Sequence, residues 1–116
     1  MMSTRAEGSP GAPIAVVTTV GSRAEAQSMA CALVKARLAA CVQINAIDSV
    51  YSWQGEIRAD QEFRVVAKTS EASYAAVEAA IRELHSYELP AIHAIAFAHI
   101  HLAYGEWIAA NSNGRP

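Results

Sequence analysis

The chain is poor in cysteine, in proline and in excess charge of either sign. Of its 116 residues two are Cys and four are Pro, and nine basic residues stand against eleven acidic ones for a formal charge of −2. Two thiols, Cys31 and Cys41, cannot make the dense framework that staples small secreted domains, so reduced cysteines in a cytoplasm are expected. Without a basic patch there is no electrostatic footprint for nucleic acid or for an anionic membrane surface. No apolar stretch reaches the roughly 18 to 20 residues that cross a bilayer. The segment Ile92 to Ala103 is interrupted by histidines. A nucleophile elbow, a paired-carboxylate motif and a nucleotide fingerprint are also missing, which argues against an enzyme.

What is present is alternation of two hydrophobic periods. Residues 1–13, with Gly8, Pro10, Gly11 and Pro13, read as a flexible lead, and Ile14 to Val20 then forms a short β-rich run ended by Gly21. Ser22 is placed to cap a helix whose apolar stripe is Ala26, Met29, Ala30, Leu33, Val34 and Leu38. Strands are expected over Ala40 to Tyr51 and Phe63 to Thr69, joined as an antiparallel hairpin through Trp53-Gln54-Gly55-Glu56. Ser70 is placed to cap a second helix with Tyr74, Val77, Ile81 and Leu84 on one stripe, ending before Pro90. A strand from Ile92 to Ile100 and a short helix from Tyr104 to Ala110 follow, and residues 111–116 read as a disordered tail. The order β-α-β-β-α-β within residues 14–110 implies an α+β, ferredoxin-like fold: a four-stranded antiparallel sheet with a long hairpin between its second and third strands and a short C-terminal helix. A domain this small gains from assembly with copies of itself, above all if the sheet's second face is apolar.

Particular motifs add to this. They are Thr18-Thr19, Leu33-Val34 leading into Arg37-Leu38-Ala39-Ala40-Cys41-Val42, Tyr51-Ser52-Trp53-Gln54-Gly55, Glu62, Lys68-Thr69, His85-Ser86-Tyr87-Glu88-Leu89-Pro90, and Tyr104 with Trp107. With them the chain resembles the CutA divalent-cation-tolerance family over roughly Ile14 to Ile108. That resemblance implies a cytoplasmic homotrimer similar in architecture to PII signalling proteins, with hairpins that add strands across subunits, and binding of Cu(II) or another divalent cation. Three positions depart from the family pattern. Ser86 replaces a proline and Ala91 replaces an acidic residue of the family pattern, and Thr18 stands where some members carry cysteine. A thiolate and a carboxylate are thereby lost as candidate ligands.

The candidate metal ligands are His85, Cys41 and Glu88. An imidazole suits copper or zinc, but His85 also stands where it could close the second helix against a backbone carbonyl. Cys41 competes between thiolate ligand and small buried hydrophobe, and Glu88 between ligand and subunit-bridging carboxylate. His93, His99 and His101 share strand parity if the last strand runs that far, but His93 and His99 would lie roughly 20 Å apart. Tyr51, Trp53, Tyr87 and Lys68 are candidates for lining an inter-subunit cleft, while Lys68 and Glu62 are also candidates for an ion pair. The competing functions are a trimeric interaction module for a protein partner, with metal incidental, and small-anion binding in the clefts by fold analogy.

Overall fold

The computed structural model describes residues 9–115, so residues 1–8 of the expected lead lie outside the described part, as does Pro116. Its elements are β1 (Pro13–Val20), α1 (Arg23–Lys35), β2 (Cys41–Trp53), β3 (Glu56–Ser70), α2 (Tyr74–Leu84), β4 (Ile92–Ala96) and α3 (Leu102–Ala110), with a 3-10 turn over Glu71–Ser73. The four strands form one antiparallel sheet in the order β2-β3-β1-β4. This is the expected α+β architecture.

Strand periodicity sorts the sheet into two faces. Ile14, Val16, Val20, Val65 and Ala67 point to the side covered by α1 and α2, where they meet Met29 and Leu33 from α1 and Val77 and Ile81 from α2. These side chains are at most 2% exposed. Burial of each large one contributes about 1.5–3 kcal/mol. Ser22 caps α1 as its position predicts, its hydroxyl accepting from the Glu25 N–H at 3.1 Å. The helix stops at Lys35, short of Leu38, because Arg37 adopts φ 57° and the N–H groups of Arg37 and Leu38 turn back to the carbonyls of Val34 and Leu33. That is a Schellman closure with arginine where glycine is usual. Its guanidinium donates to the Ala110 carbonyl at 2.8 Å, and its own carbonyl accepts from Gly114, so the side chain is used to fasten the C-terminus.

Several boundaries differ from those read in the sequence. Ser70 precedes the 3-10 turn, makes no side-chain cap, and α2 starts at Tyr74. β4 ends at Ala96, well short of Ile100. Among the described residues it pairs with β1 alone, in a register that runs from Thr18 opposite Ile92 to Ile14 opposite Ala96. The next β1 residue is Pro13, which has no N–H to donate. His93 therefore lies on β4, His99 in the following loop and His101 at the start of α3, so the three do not share a strand. At the ends, Ala12 and Pro10 accept backbone bonds from Glu71 and Ala72, while the Ser112 carbonyl accepts from Ser73 and Gly114 bonds Arg37.

The hairpin is longer than expected, with strands of 13 and 15 residues. It makes the molecule 51 Å long against 28 and 21 Å in the other directions. Gln54 (φ 51°) and Gly55 (φ 81°) close it as a two-residue turn with both central residues left-handed, the type that matches the twist of the strands. Toward the tip Val50, Ala59 and Ile57 continue the face that α1 and α2 cover farther down, and there Val50 is 73% and Ile57 76% exposed.

A Cβ at Gly55 would meet nothing within 4 Å, so Gly55→Ala tests backbone conformation alone. The expected loss is about 1–2 kcal/mol, the cost of holding an L-residue left-handed, read as a lower urea midpoint with unchanged m-value.

Candidate functional site

The second face of the sheet carries the site. By the strand register, Thr19 on β1, Glu62 and Arg58 on β3, and Tyr51 and Trp53 on β2 all point away from the two covering helices. The connection from α2 to β4 folds over them, and together they enclose a cleft of about 570 Å³ whose remaining walls are Ser86, Tyr87, Glu88, Leu89 and Ala91.

Tyr87 is the central wall. Its hydroxyl donates to Glu62 Oε2 at 2.7 Å, and Glu62 is only 7% exposed. Burial, then the bond to Glu62, pushes the phenol far above its ordinary value, so Tyr87 stays a donor throughout the neutral range. The ring lies against Gly21, where an added Cβ would stand 3.3 Å from the hydroxyl, so the glycine makes room for it. Opposite, the Tyr51 hydroxyl donates to Asp60 Oδ2 at 2.5 Å, a bond that also raises its pKa.

His85 anchors this loop from behind. The Tyr87 N–H donates to Nδ1 at 3.1 Å, which assigns the proton to Nε2, and Nε2 donates to the Thr19 carbonyl at 2.8 Å. The side chain is fully buried. Beside it Glu25 accepts from both the backbone N–H and the hydroxyl of Ser86, at 3.0 and 3.1 Å. A proline at position 86 could make neither bond.

The candidate metal ligands do not converge. His85 has both ring nitrogens hydrogen-bonded, and Glu88 lines the cleft. Cys41 lies opposite Lys68, four β3 residues and roughly 13 Å along the strand from Arg64, the partner of Thr19. Its sulfur is 3.8 Å from the Tyr104 hydroxyl. Among the described residues no three His, Cys, Asp or Glu side chains are placed to hold one ion. The donors of a single chain therefore do not fit a resident divalent cation.

Of the four cleft candidates, Tyr51, Trp53 and Tyr87 come together and Lys68 does not. Lys68 donates to Gln43 Oε1 at 3.0 Å and to the Tyr104 hydroxyl at 3.4 Å. It does not pair with Glu62, because β3 starts earlier than the sequence indicated and carries both residues, six positions apart. Thr19, Leu89 and Ala91 were named in the sequence as motif positions but not as cleft walls, and Arg58 was not singled out; strand parity from Tyr51 and Trp53 was the one available signal for Arg58.

A family profile described as CutA1 divalent ion tolerance protein matches residues 14–111. The chain is 38% identical to the divalent-cation tolerance protein CutA of Thermus thermophilus over 98 residues, covering 84% of this chain and 95% of that one. It is 33% identical to protein CutA of Homo sapiens, covering 85% of this chain and 56% of the human protein. Among solved structures, the periplasmic divalent cation tolerance protein CutA from Archaeoglobus fulgidus superposes with TM-score 0.85 at 33% identity, covering 87% of this chain and 99% of that one. The Thermus thermophilus protein gives 0.84 at 36% identity, with coverage of 87% and 99%.

Two outcomes follow from the Tyr87 and His85 bonds. The folded state holds the Tyr87 proton to higher pH than the unfolded chain does, so this group's contribution to stability is full below the ordinary tyrosine value of about 10 and falls above it. Tyr87→Phe is expected to flatten the decline of Tm with pH in that alkaline range relative to wild type. His85→Ala leaves the Thr19 carbonyl and the Tyr87 N–H without their partner, for an expected loss of about 2–3 kcal/mol by urea unfolding.

Proposed function

Because this chain belongs to the CutA1 divalent ion tolerance family, we propose that it contributes to divalent-cation tolerance without catalysis, as a homotrimer that takes up Cu(II) or another divalent cation through donors supplied by more than one subunit. The observation that carries this reading is the hairpin arm. On the core-facing side of the sheet, beyond the reach of α1 and α2 and past the polar pair Asp48 and Gln61, Val50, Ala59 and Ile57 form an exposed apolar patch, and a two-stranded ribbon standing alone in water is marginal. Strand edges and an apolar strip of this kind are matched by the same features on another copy.

The cation on this reading is cargo or stimulus. The described residues of one chain do not gather three donors, so on this reading the exposed imidazoles His93, His99 and His101 act from neighbouring subunits, and His85 keeps its hydrogen bonds. Sites built from exposed side chains of separate chains are loosely organised, and weak uptake follows. Cytoplasmic residence belongs to the same proposal, supported by the two free thiols. The Archaeoglobus protein described as periplasmic marks the contrast. No helix among the described residues is long and apolar enough to cross a membrane.

Native mass spectrometry of the tag-free, reduced protein with added Cu(II) tests both halves. The expected species is a trimer that takes up Cu(II). The double substitution Val50→Asp with Ile57→Asp is expected to shift the protein to monomer and remove the uptake, with the far-ultraviolet spectrum unchanged in shape. A wild-type monomer would sink the assembly. A trimer without stoichiometric Cu(II) would sink the cation site and leave an interaction module for a protein partner.

A further inference from the structure

We propose that the cleft between the hairpin and the Ser86–Ala91 loop is a binding site for a small organic cation, an amine or quaternary ammonium group. This goes beyond the reading above and does not depend on metal uptake. Three aromatic side chains, Tyr51, Trp53 and Tyr87, line one cavity of about 570 Å³, inside the roughly 300–1,000 Å³ range of small-molecule sites. Aromatic faces carry the negative part of the ring quadrupole, and several around one space form a cage that attracts a poorly hydrated cation.

The charges of the cleft agree. Glu62 and Glu88 line it with Arg58. The Arg58 guanidinium also faces Glu56, 3.7 Å away on the same strand in a solvent-exposed pair, so the acidic groups outnumber the single basic one. Glu62 gives one oxygen to Tyr87, and its other oxygen is neither bonded nor sealed from the cleft among the described residues. Glu88 is exposed and makes no ion pair among them. The wall is therefore aromatic and apolar, with Leu89 and Ala91, plus two carboxylates.

A bare divalent ion is a poor match for such a wall, since hard cations demand about six or more oxygen donors at short range. A cation whose charge is spread over alkyl groups gains from both wall types. An anion has only Arg58 to meet it and two carboxylates to repel it.

The molecule holds its own control. Tyr104 and Trp107 stack at 6.1 Å on the same face of the sheet, but the Lys68 ammonium already lies 5.8 Å from the Tyr104 ring. That pair has its cation built in.

Two-dimensional amide spectra of the ¹⁵N-labelled full chain, titrated with tetramethylammonium chloride at fixed ionic strength, read the two indole N–H groups separately. The expected result is a saturable shift of Trp53, absent at Trp107, with affinity about ten-fold tighter than for the neutral isostere tert-butanol. Glu88→Gln should weaken binding and Arg58→Gln should strengthen it, the remaining amide signals showing that each variant is folded. Equal response to tetramethylammonium and tert-butanol would reduce the cleft to an apolar slot and overturn the proposal. A Trp53 shift with acetate, lost in Arg58→Gln, would overturn it in favour of an anion site. No response at Trp53 to any of the three would overturn it as well.

Discussion

The unbroken pairing of β2 with β3 is the constraint on which the functional half of the molecule depends. It runs from Cys41 opposite Lys68 to Trp53 opposite Glu56 with no bulge in the register. Side chains alternate between faces, so a slip of β2 by one residue against β3 would move Tyr51 and Trp53 to the helix side, away from Arg58 and Glu62, and bring Val50 and Ser52 to the cleft face. What holds the register is unequal along the ribbon. At its base Val65 and Ala67 are locked in the core under α1. At the tip there is only the left-handed turn at Gln54-Gly55, and between the two lie exposed ladders whose hydrogen bonds contribute about 1 kcal/mol each. The outer ribbon is thus specified from both ends and supported by neither, which is the physical case for a second copy covering it.

The cleft itself is a consequence of one loop being fixed at two depths. His85 is buried behind the sheet end and holds the Thr19 carbonyl, while Tyr87, two residues on, reaches the other face and holds Glu62. The Tyr87 N–H to His85 bond joins the two anchors. Glu25 adds a third fixing through Ser86, and this contact exists because the chain has serine where the family pattern it resembles has proline. A serine loop loses the stiffness of proline but gains two charge-assisted bonds. Beyond Tyr87 the loop carries Glu88 and Leu89 along the cleft wall.

Much of the fold could be read in the sequence because it rests on period. The stripes Ala26-Met29-Leu33 and Val77-Ile81 and the alternation through β3 each name the face that is buried, the continuous apolar run of β1 marks an interior strand, and the order of elements leaves one economical sheet. Limits set by a partner strand were not readable: β4 looks extended to Ile100 by composition, yet ends where Pro13 leaves it without a donor. Site chemistry was readable only where both groups lie on known faces. Tyr51 and Trp53 are two apart on one strand, so they share a face in any register, and they do line the cleft. Lys68 and Glu62, candidates for an ion pair, turn out to lie six positions apart on one strand because β3 begins at Glu56 and not at Phe63, and so they do not meet within the chain. Tyr87 against Gly21 and Glu62 depends on how the loop crosses the sheet edge, which no local pattern encodes.

The histidine of this loop shows how energetics decides between two roles that composition leaves equal. To bind a metal ion through Nδ1, His85 would abandon the Tyr87 N–H; through Nε2 it would abandon the Thr19 carbonyl and lose the tautomer that serves the other bond. Leaving one such buried group unpaired costs about 1–3 kcal/mol, which is roughly a ten- to hundred-fold loss of affinity before the ring has moved. The ring would then have to leave a fully buried position to meet any second ligand, and Tyr87 and Glu62 would be disturbed with it. Exposed imidazoles such as His93 and His99 carry no such penalty. The residue that looks most like a ligand in the sequence is the one whose structural bonds most oppose ligation, and the donors that can act without unfolding the site are those exposed on the surface.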